Sequence, residues 1–166
     1  MKQSTKPMIK NYLLFFGMFA FAISVNAQNY LDTQYGQDGI EVHLLKANVT
    51  NKVLTVSFMF DNSTGAEVKM SSMPITNVNY TTADKKYPPL QDAEGKWLVS
   101  DVTYIKGNTS QTDSMFTTAE GSSNHRLDID DGKKKVGWIK FEAPSDTDWP
   151  IEVALPGVTP FTIEKP

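Results

Sequence analysis

The chain has 166 residues, with 16 Lys and Arg against 19 Asp and Glu, and it contains no cysteine. A net charge of −3 argues against a nucleic-acid partner, because contact with many phosphates needs clustered Lys and Arg. The lack of cysteine excludes disulfides, catalytic thiols and thiolate-bound metals, so the stability of the fold has to come from a hydrophobic core.

Residues 1–27 have the pattern of a secretory signal peptide. Three lysines form a basic n-region, residues 12–25 form an apolar h-region, and the small residues at 25–27 fit a signal-peptidase site. The apolar stretch is shorter than the about 20 residues that a membrane-spanning helix needs, although an uncleaved anchor is the alternative. We therefore expect a secreted or periplasmic protein that begins at Gln28 and has no stable membrane span after cleavage.

The first strands are predicted just after a polar stretch. Residues 28–39 are polar and contain glycine, and they predict a flexible N-terminal segment before a folded domain at 40–166. Apolar and polar residues then alternate at 40–44 and again at 54–60. This alternation predicts two β-strands with one buried face each, joined by a turn at 48–52.

The middle of the chain is interrupted by turn-forming residues. A turn cluster at 61–65 precedes a predicted third strand at 75–82. Pro88 and Pro89 belong at a sheet edge, because proline cannot donate a hydrogen bond to a neighbouring strand. Residues 101–124 are polar and irregular, and they predict a long loop, with room for a short strand at 102–105, that is either mobile or functional.

The last third of the chain predicts a hairpin and two closing strands. Residues 125–130 and 135–142 form the arms of the hairpin, with Gly132 in its turn, since glycine readily adopts the positive φ of a tight turn. Further strands are predicted at 151–155 and 158–163. Short strands without a helical period predict an all-β fold, a single antiparallel immunoglobulin-like β-sandwich. Its predicted core consists of Ile40, Val42, Leu44, Leu54, Val56, Phe58, Phe60, Trp138, Phe141, Val153 and Leu155.

Four segments carry a resemblance to a known family: VSFMFDNS at 56–63, KYPPLQDAEG at 86–95, WIKFEAP at 138–144 and LPGVTPF at 155–161. In this order they resemble a family of exported bacterial immunoglobulin-like domains of unknown function. The resemblance implies a sandwich fold and a role in recognition or assembly. It implies no catalytic residues, and a shared fold alone does not determine a function.

The sharpest candidate for a metal site is the group Asp128, Asp130 and Asp131, followed by Gly132. Carboxylates that alternate before a glycine are similar to the start of a calcium loop, in which oxygen ligands converge on one ion. Lysines at 133–135 stand where such a loop needs an acidic ligand, so a plain hairpin turn is the alternative explanation. The sequence indicates either calcium at these carboxylates or no cofactor.

Four aromatic residues form a second candidate site. Trp97, Trp149, Tyr87 and Tyr104 lie in or beside predicted loops. Exposed aromatic rings stack on the apolar faces of sugars, so these residues predict a glycan-binding surface. Packing against the core is the alternative explanation.

We expect a non-catalytic binding or assembly module of the bacterial cell envelope, with a protein or an envelope glycan as its partner. The alternatives are a calcium- or glycan-binding module and a small secreted hydrolase that acts on glycans. In such a hydrolase, an acid and a base would come from Asp128, Asp130, Asp146 or Asp148. A domain of this length rarely encloses a deep cleft, and we therefore predict that the protein is not an enzyme.

Overall fold

The computed structural model describes residues 29–104, 112–118 and 125–166. The predicted signal peptide at 1–27 lies outside the described residues. Within these three ranges, no helix has the length and apolar character that crossing a membrane requires.

The described chain consists mainly of β-strands, with short 3-10 helices at Gln37–Gly39 and Ile75–Asn77. The strands in chain order are β1 (Asp32–Tyr35), β2 (Glu41–Thr50), β3 (Val53–Asp61), β4 (Val68–Ser71), β5 (Met73–Pro74), β6 (Asn79–Thr81), β7 (Lys86–Tyr87), β8 (Val102–Thr103), β9 (Thr112–Asp113), β10 (Phe116–Thr117), β11 (His125–Ile129), β12 (Lys134–Glu142), β13 (Ile151–Ala154) and β14 (Phe161–Ile163).

The strands of the described ranges form four sheets. The main sheet has the order β1-β2-β3-β12, and the second sheet has the order β14-β13-β6-β7; both are antiparallel. Two smaller sheets, β4-β11-β9 and β5-β10-β8, contain short parallel pairs. The prediction of an all-β fold with antiparallel sheets is therefore confirmed.

One hydrophobic core lies among these sheets, and the predicted core is buried except for one residue. The sequence predicts Trp138 in the core, but this residue is 37 % exposed. Successive side chains of a strand point to opposite faces, so Ile139 and Phe141, which are fully buried, leave Trp138 on the outer face of β12. The prediction for Trp138 was wrong because it placed residues of both faces in the core.

The first hairpin differs from its predicted length. β2 continues to Thr50, beyond the predicted 40–44, since it stays paired with β3 after the pairing register shifts between Leu44 and Lys46. A shift of this kind is a β-bulge, which changes which alternate residues face the core. Ala47 lies opposite buried Val56 and packs against the core beyond the bulge. The alternation of apolar and polar residues is therefore interrupted after Leu44, although the strand continues to Thr50.

Residues 32–35 form a paired strand, although the sequence predicted a flexible N-terminal segment at 28–39. They form β1, which pairs with β2 from Asp32 opposite Leu44 to Tyr35 opposite Glu41. Just before β1, the ring of Tyr30 stacks on the buried ring of His43 at 3.9 Å. These local contacts bind the segment to the main sheet, although its polar composition predicted a loose one.

Parts of the predicted loop at 101–124 belong to the core. Residues 105–111 and 119–124 lie outside the described residues, but the described parts contain β8, β9 and β10. Met115 and Phe116 are fully buried, and Phe116 meets Phe58 of the main sheet edge to face at 6.2 Å. A few apolar side chains in a polar stretch are thus enough to anchor it.

The predicted hairpin at 125–142 has the expected turn but not the expected pairing. Gly132 adopts φ +71°, and the Lys133 N–H donates to the Asp130 carbonyl at 3.0 Å. The two arms, β11 and β12, nevertheless belong to different sheets. Asn62 lies between them: its backbone N–H donates to the Lys133 carbonyl at 3.0 Å and its side-chain amide donates to the Ile129 carbonyl at 2.7 Å. The turn therefore makes a corner from one sheet to another.

The outer edge of β12 is covered by the segment at 89–100. Ser100 N–H donates to the Trp138 carbonyl at 2.9 Å, and Leu90 N–H donates to the Lys140 carbonyl at 2.8 Å. Pro89 forms an isolated bridge at this edge, which is the kind of position that the sequence predicted.

Candidate functional site

A groove lies on the outer face of the second sheet, and a cross-strand row of three side chains forms its floor. Glu152 of β13 lies between Thr81 of β6 and Thr162 of β14. The neighbours of Glu152 on its strand, Ile151 and Val153, are buried, so the floor residues point away from the core. The floor is therefore polar and carries one carboxylate.

Two loops form the walls of this groove. The turn at 82–85 is closed by the Thr82 N–H, which donates to the Lys85 carbonyl at 2.8 Å. The opposite wall at 147–150 begins within a turn in which the Ser145 N–H donates to Asp148 Oδ2 at 3.2 Å. The groove has a volume of about 690 Å³, which is within the range of small-molecule sites.

Two of the four predicted aromatic residues, Tyr87 and Trp149, line the groove. Tyr87 stacks on Tyr80, with ring centroids 4.6 Å apart, and the Lys85 ammonium lies 4.4 Å from the centroid of Tyr87. Trp149 is half-buried, and its inner part packs against the core. Each aromatic residue is thus held by the core and still reaches the groove.

Tyr80, the cross-strand partner of Tyr87, holds the Tyr87 ring in place. It is fully buried, and its hydroxyl donates to the Glu142 carbonyl at 3.0 Å. Burial raises the pKa of Tyr80 above its ordinary value, so the phenol stays neutral and keeps this hydrogen bond into the alkaline range. The Tyr80 ring, on which Tyr87 stacks, is therefore fixed in position.

The other two predicted aromatic residues lie elsewhere. The backbone N–H of Trp97 donates to the Tyr104 hydroxyl at 2.7 Å, and neither residue lines the groove. The structure therefore divides the predicted aromatic surface into two pairs. The floor residues of the groove were not predicted, because nothing in the sequence places three separate strands side by side.

The predicted calcium ligands are not gathered around one point. Asp131 accepts a hydrogen bond from the Gly65 N–H at 2.9 Å, which fixes the corner turn, and Asp128 lies 3.4 Å from the Arg126 guanidinium. Asp130 is exposed. Across the described ranges, no group of three His, Asp or Glu side chains could hold a metal ion. Calcium stays a prediction that this geometry does not support.

Asp146 and Asp148 are also separated in their contacts. Asp146 pairs with the Lys165 ammonium at 3.0 Å and is largely exposed, whereas Asp148 lines the groove. Asp84 and Glu152, which the sequence did not single out, join Asp148 there. The groove therefore carries three carboxylates beside its aromatic rings.

Comparisons of the chain with protein-family models, with curated proteins and with solved structures gave no match. The resemblance to exported bacterial immunoglobulin-like domains therefore stays a prediction. What the groove can do follows from its side chains: the aromatic rings can stack on apolar faces, and the hydroxyls and carboxylates can accept hydrogen bonds from polyols.

Proposed function

We propose that this protein is an exported, non-catalytic binding module that holds a cell-envelope glycan in the groove between residues 82–85 and 147–150. The observation that carries the proposal is that Tyr87 and Trp149 line the same open groove of about 690 Å³. A site of this size can hold a short oligosaccharide.

The chemistry of the lining suits a sugar. Pyranose rings have apolar C–H faces that pack on aromatic rings, and their hydroxyls need hydrogen-bond acceptors at the rim. Four threonines supply hydroxyls around the groove: Thr81, Thr82, Thr147 and Thr162. A nucleic acid is disfavoured there, because the described lining residues include three carboxylates and a single lysine.

Export and the finer fold assignment belong to the same proposal. Export is supported by the signal-peptide pattern at 1–27, and mass spectrometry of the exported protein should give a chain that begins at Gln28. An immunoglobulin-like sandwich is supported by two antiparallel four-stranded sheets that share one core.

The test is calorimetric titration of the exported protein with a panel of envelope oligosaccharides. Trp149→Ala should weaken the binding of any ligand by about two- to tenfold, because a stacked aromatic ring contributes about 0.5–1.5 kcal/mol. Trp138→Ala is the matched control, since Trp138 is also partly exposed but lies outside the groove. Equal losses in both variants, or no glycan binding by the wild type, would reject the proposal.

A glycoside hydrolase is the second candidate function, and one observation favours it. Asp84, Asp148 and Glu152 line the same aromatic groove, and glycosidases use a pair of carboxyl groups as acid and base or nucleophile. Release of reducing ends from a bound glycan, lost in Asp148→Asn or Glu152→Gln, would replace the binding module by an enzyme. We expect binding without release.

A further inference from the structure

The groove already contains an ammonium group over an aromatic face. One face of Tyr87 stacks on Tyr80 at 4.6 Å, and the Lys85 ammonium lies 4.4 Å from the centroid of the Tyr87 ring. Since Tyr80 occupies one face, the ammonium covers the other, which is the face that a ligand would use. Cations are attracted to this position by the electron-rich ring.

The charges around this position are mainly negative. Asp84, Asp148 and Glu152 line the groove, and Lys85 is the only cation among its described lining residues. Uronic acids and phosphorylated sugars would meet repulsion from three carboxylates. A positively charged ligand would meet these carboxylates and the face of Tyr87 together.

Lys85 can leave its position without disturbing the fold. Its side chain is exposed and ends a flexible four-carbon stem. Its backbone, in contrast, is held in the turn by three hydrogen bonds with Thr82, at 2.8, 3.2 and 3.4 Å. A cation fixed on a rigid sugar ring loses less conformational freedom there than a lysine side chain does.

Building on the proposed function, we infer that the groove selects glycans with free amino groups, whose ammonium replaces that of Lys85 over Tyr87. The carboxylates of Asp84, Asp148 and Glu152 then compensate the charge of neighbouring amino sugars. Lys85 acts as an internal competitor that keeps the Tyr87 face covered until such a ligand binds.

The experiment titrates the exported protein with hexamers of glucosamine, N-acetylglucosamine and galacturonic acid, at a pH where the glucosamine amines are charged. The glucosamine hexamer should bind at least tenfold more tightly than the acetylated one, and the galacturonate hexamer most weakly. Salt should reduce this preference, because screening weakens attraction between exposed charges. Equal affinity for the first two hexamers, or preference for the anionic one, would overturn the inference.

Two variants separate charge selection from stacking. Lys85→Ala should raise affinity for the glucosamine hexamer several-fold, whereas Lys96→Ala should not, since Lys96 pairs with Glu94 outside the groove. Glu152→Gln should remove most of the preference for free amines, whereas Glu164→Gln outside the groove should keep it. An unchanged preference in Glu152→Gln would count against the inference.

The two proposals fail in different ways. If the N-acetylglucosamine hexamer binds through Trp149 and the free amines bring no gain, the inference falls and the glycan-binding function stands. If none of the three hexamers binds, and no other envelope glycan does, both proposals fall.

Discussion

Asn62 shows how one buried polar residue can join two sheets. Its side-chain amide donates to the Ile129 carbonyl at 2.7 Å and to the Ala66 carbonyl at 2.8 Å, and its Oδ1 accepts from the Thr64 hydroxyl at 2.8 Å. The residue is completely buried. A buried amide is tolerated only when its polar atoms are paired, and here the pairing fixes the corner between β11 and β12.

Replacement of Asn62 by alanine should lower the free energy of unfolding by about 2–4 kcal/mol, because two carbonyl groups lose a buried donor. Urea denaturation measures this change. Asn48→Ala is the control: in the described structure the Asn48 side chain bonds only to the exposed Thr50 hydroxyl, and its loss should cost less than about 0.5 kcal/mol. A similar cost for both variants would contradict the role given to Asn62.

Tyr80 should make the fold sensitive to alkaline pH. Burial raises its pKa above the ordinary value of about 10, so the unfolded chain loses this proton at a lower pH than the folded chain does. The stabilisation that comes from Tyr80 is fully present below about pH 10. Above this pH the free energy of unfolding falls by about 1.4 kcal/mol per pH unit, until the folded state also loses the proton. Tyr80→Phe should remove this part of the slope in urea midpoints measured from neutral to alkaline pH.

Lys134 contributes to the same slope and needs its own control. Its ammonium bonds to Asp61 at 2.6 Å, which raises the pKa of Lys134. This stabilisation is also present at lower pH and is lost as the pH rises, but the lysine is half-exposed and its contribution is small. If Lys134→Gln abolished the alkaline slope and Tyr80→Phe left it intact, the assignment to Tyr80 would be wrong.

At the scale of elements, the β2–β3 hairpin shows the limits of alternation. Its turn consists of Asn51 and Lys52, both at positive φ, 51° and 62°. Tight hairpins favour this geometry because it matches the twist of the strands, and Asn-Gly is the preferred pair. Asn51 fits the turn, whereas Lys52 holds a conformation that costs free energy for a residue with a Cβ.

Lys52→Gly should therefore raise the free energy of unfolding by about 0.5–1 kcal/mol, since glycine adopts positive φ without strain. Thermal denaturation measures the shift. Lys46→Gly tests the same substitution at an exposed position inside β2, where it should destabilise the protein by about 0.5–1 kcal/mol. Stabilisation at both positions would point to the lost lysine charge instead of the turn.

At the scale of the whole molecule, the core includes a part of the chain that looked like a loop. Phe116 contacts Phe58, which in turn meets Phe60 at 5.8 Å, so residues 112–118 are joined to the main sheet through aromatic rings. All four sheets contribute to this one core. We therefore expect the described parts to unfold together.

Phe116→Ala should lower the free energy of unfolding by about 3–5 kcal/mol, because it leaves a cavity in the core. Tryptophan fluorescence and far-UV circular dichroism should still report one coincident transition. Tyr104→Ala, at a residue that is 43 % exposed, should have a much smaller effect. A mild effect of Phe116→Ala would mean that residues 112–118 pack loosely.

Strand alternation, turn residues and composition determined a good part of this structure. They identified ten core residues from Ile40 to Leu155, the turn at Gly132 and the edge position of Pro89. They also marked Tyr87 and Trp149, together with Trp97 and Tyr104, as aromatic residues in or beside predicted loops. These are local properties, since the period of a strand records which face each residue is on.

Only the tertiary structure decided which strands meet. Contacts between distant segments determine the bulge in β2, the corner at Asn62 and the parallel pairs of the small sheets. The groove is the clearest case, because its walls at 82–85 and 147–150 come from separate parts of the chain and its floor from three strands. Sheet partners and register are chosen by packing across the whole core, and this information is not written in any single stretch of sequence.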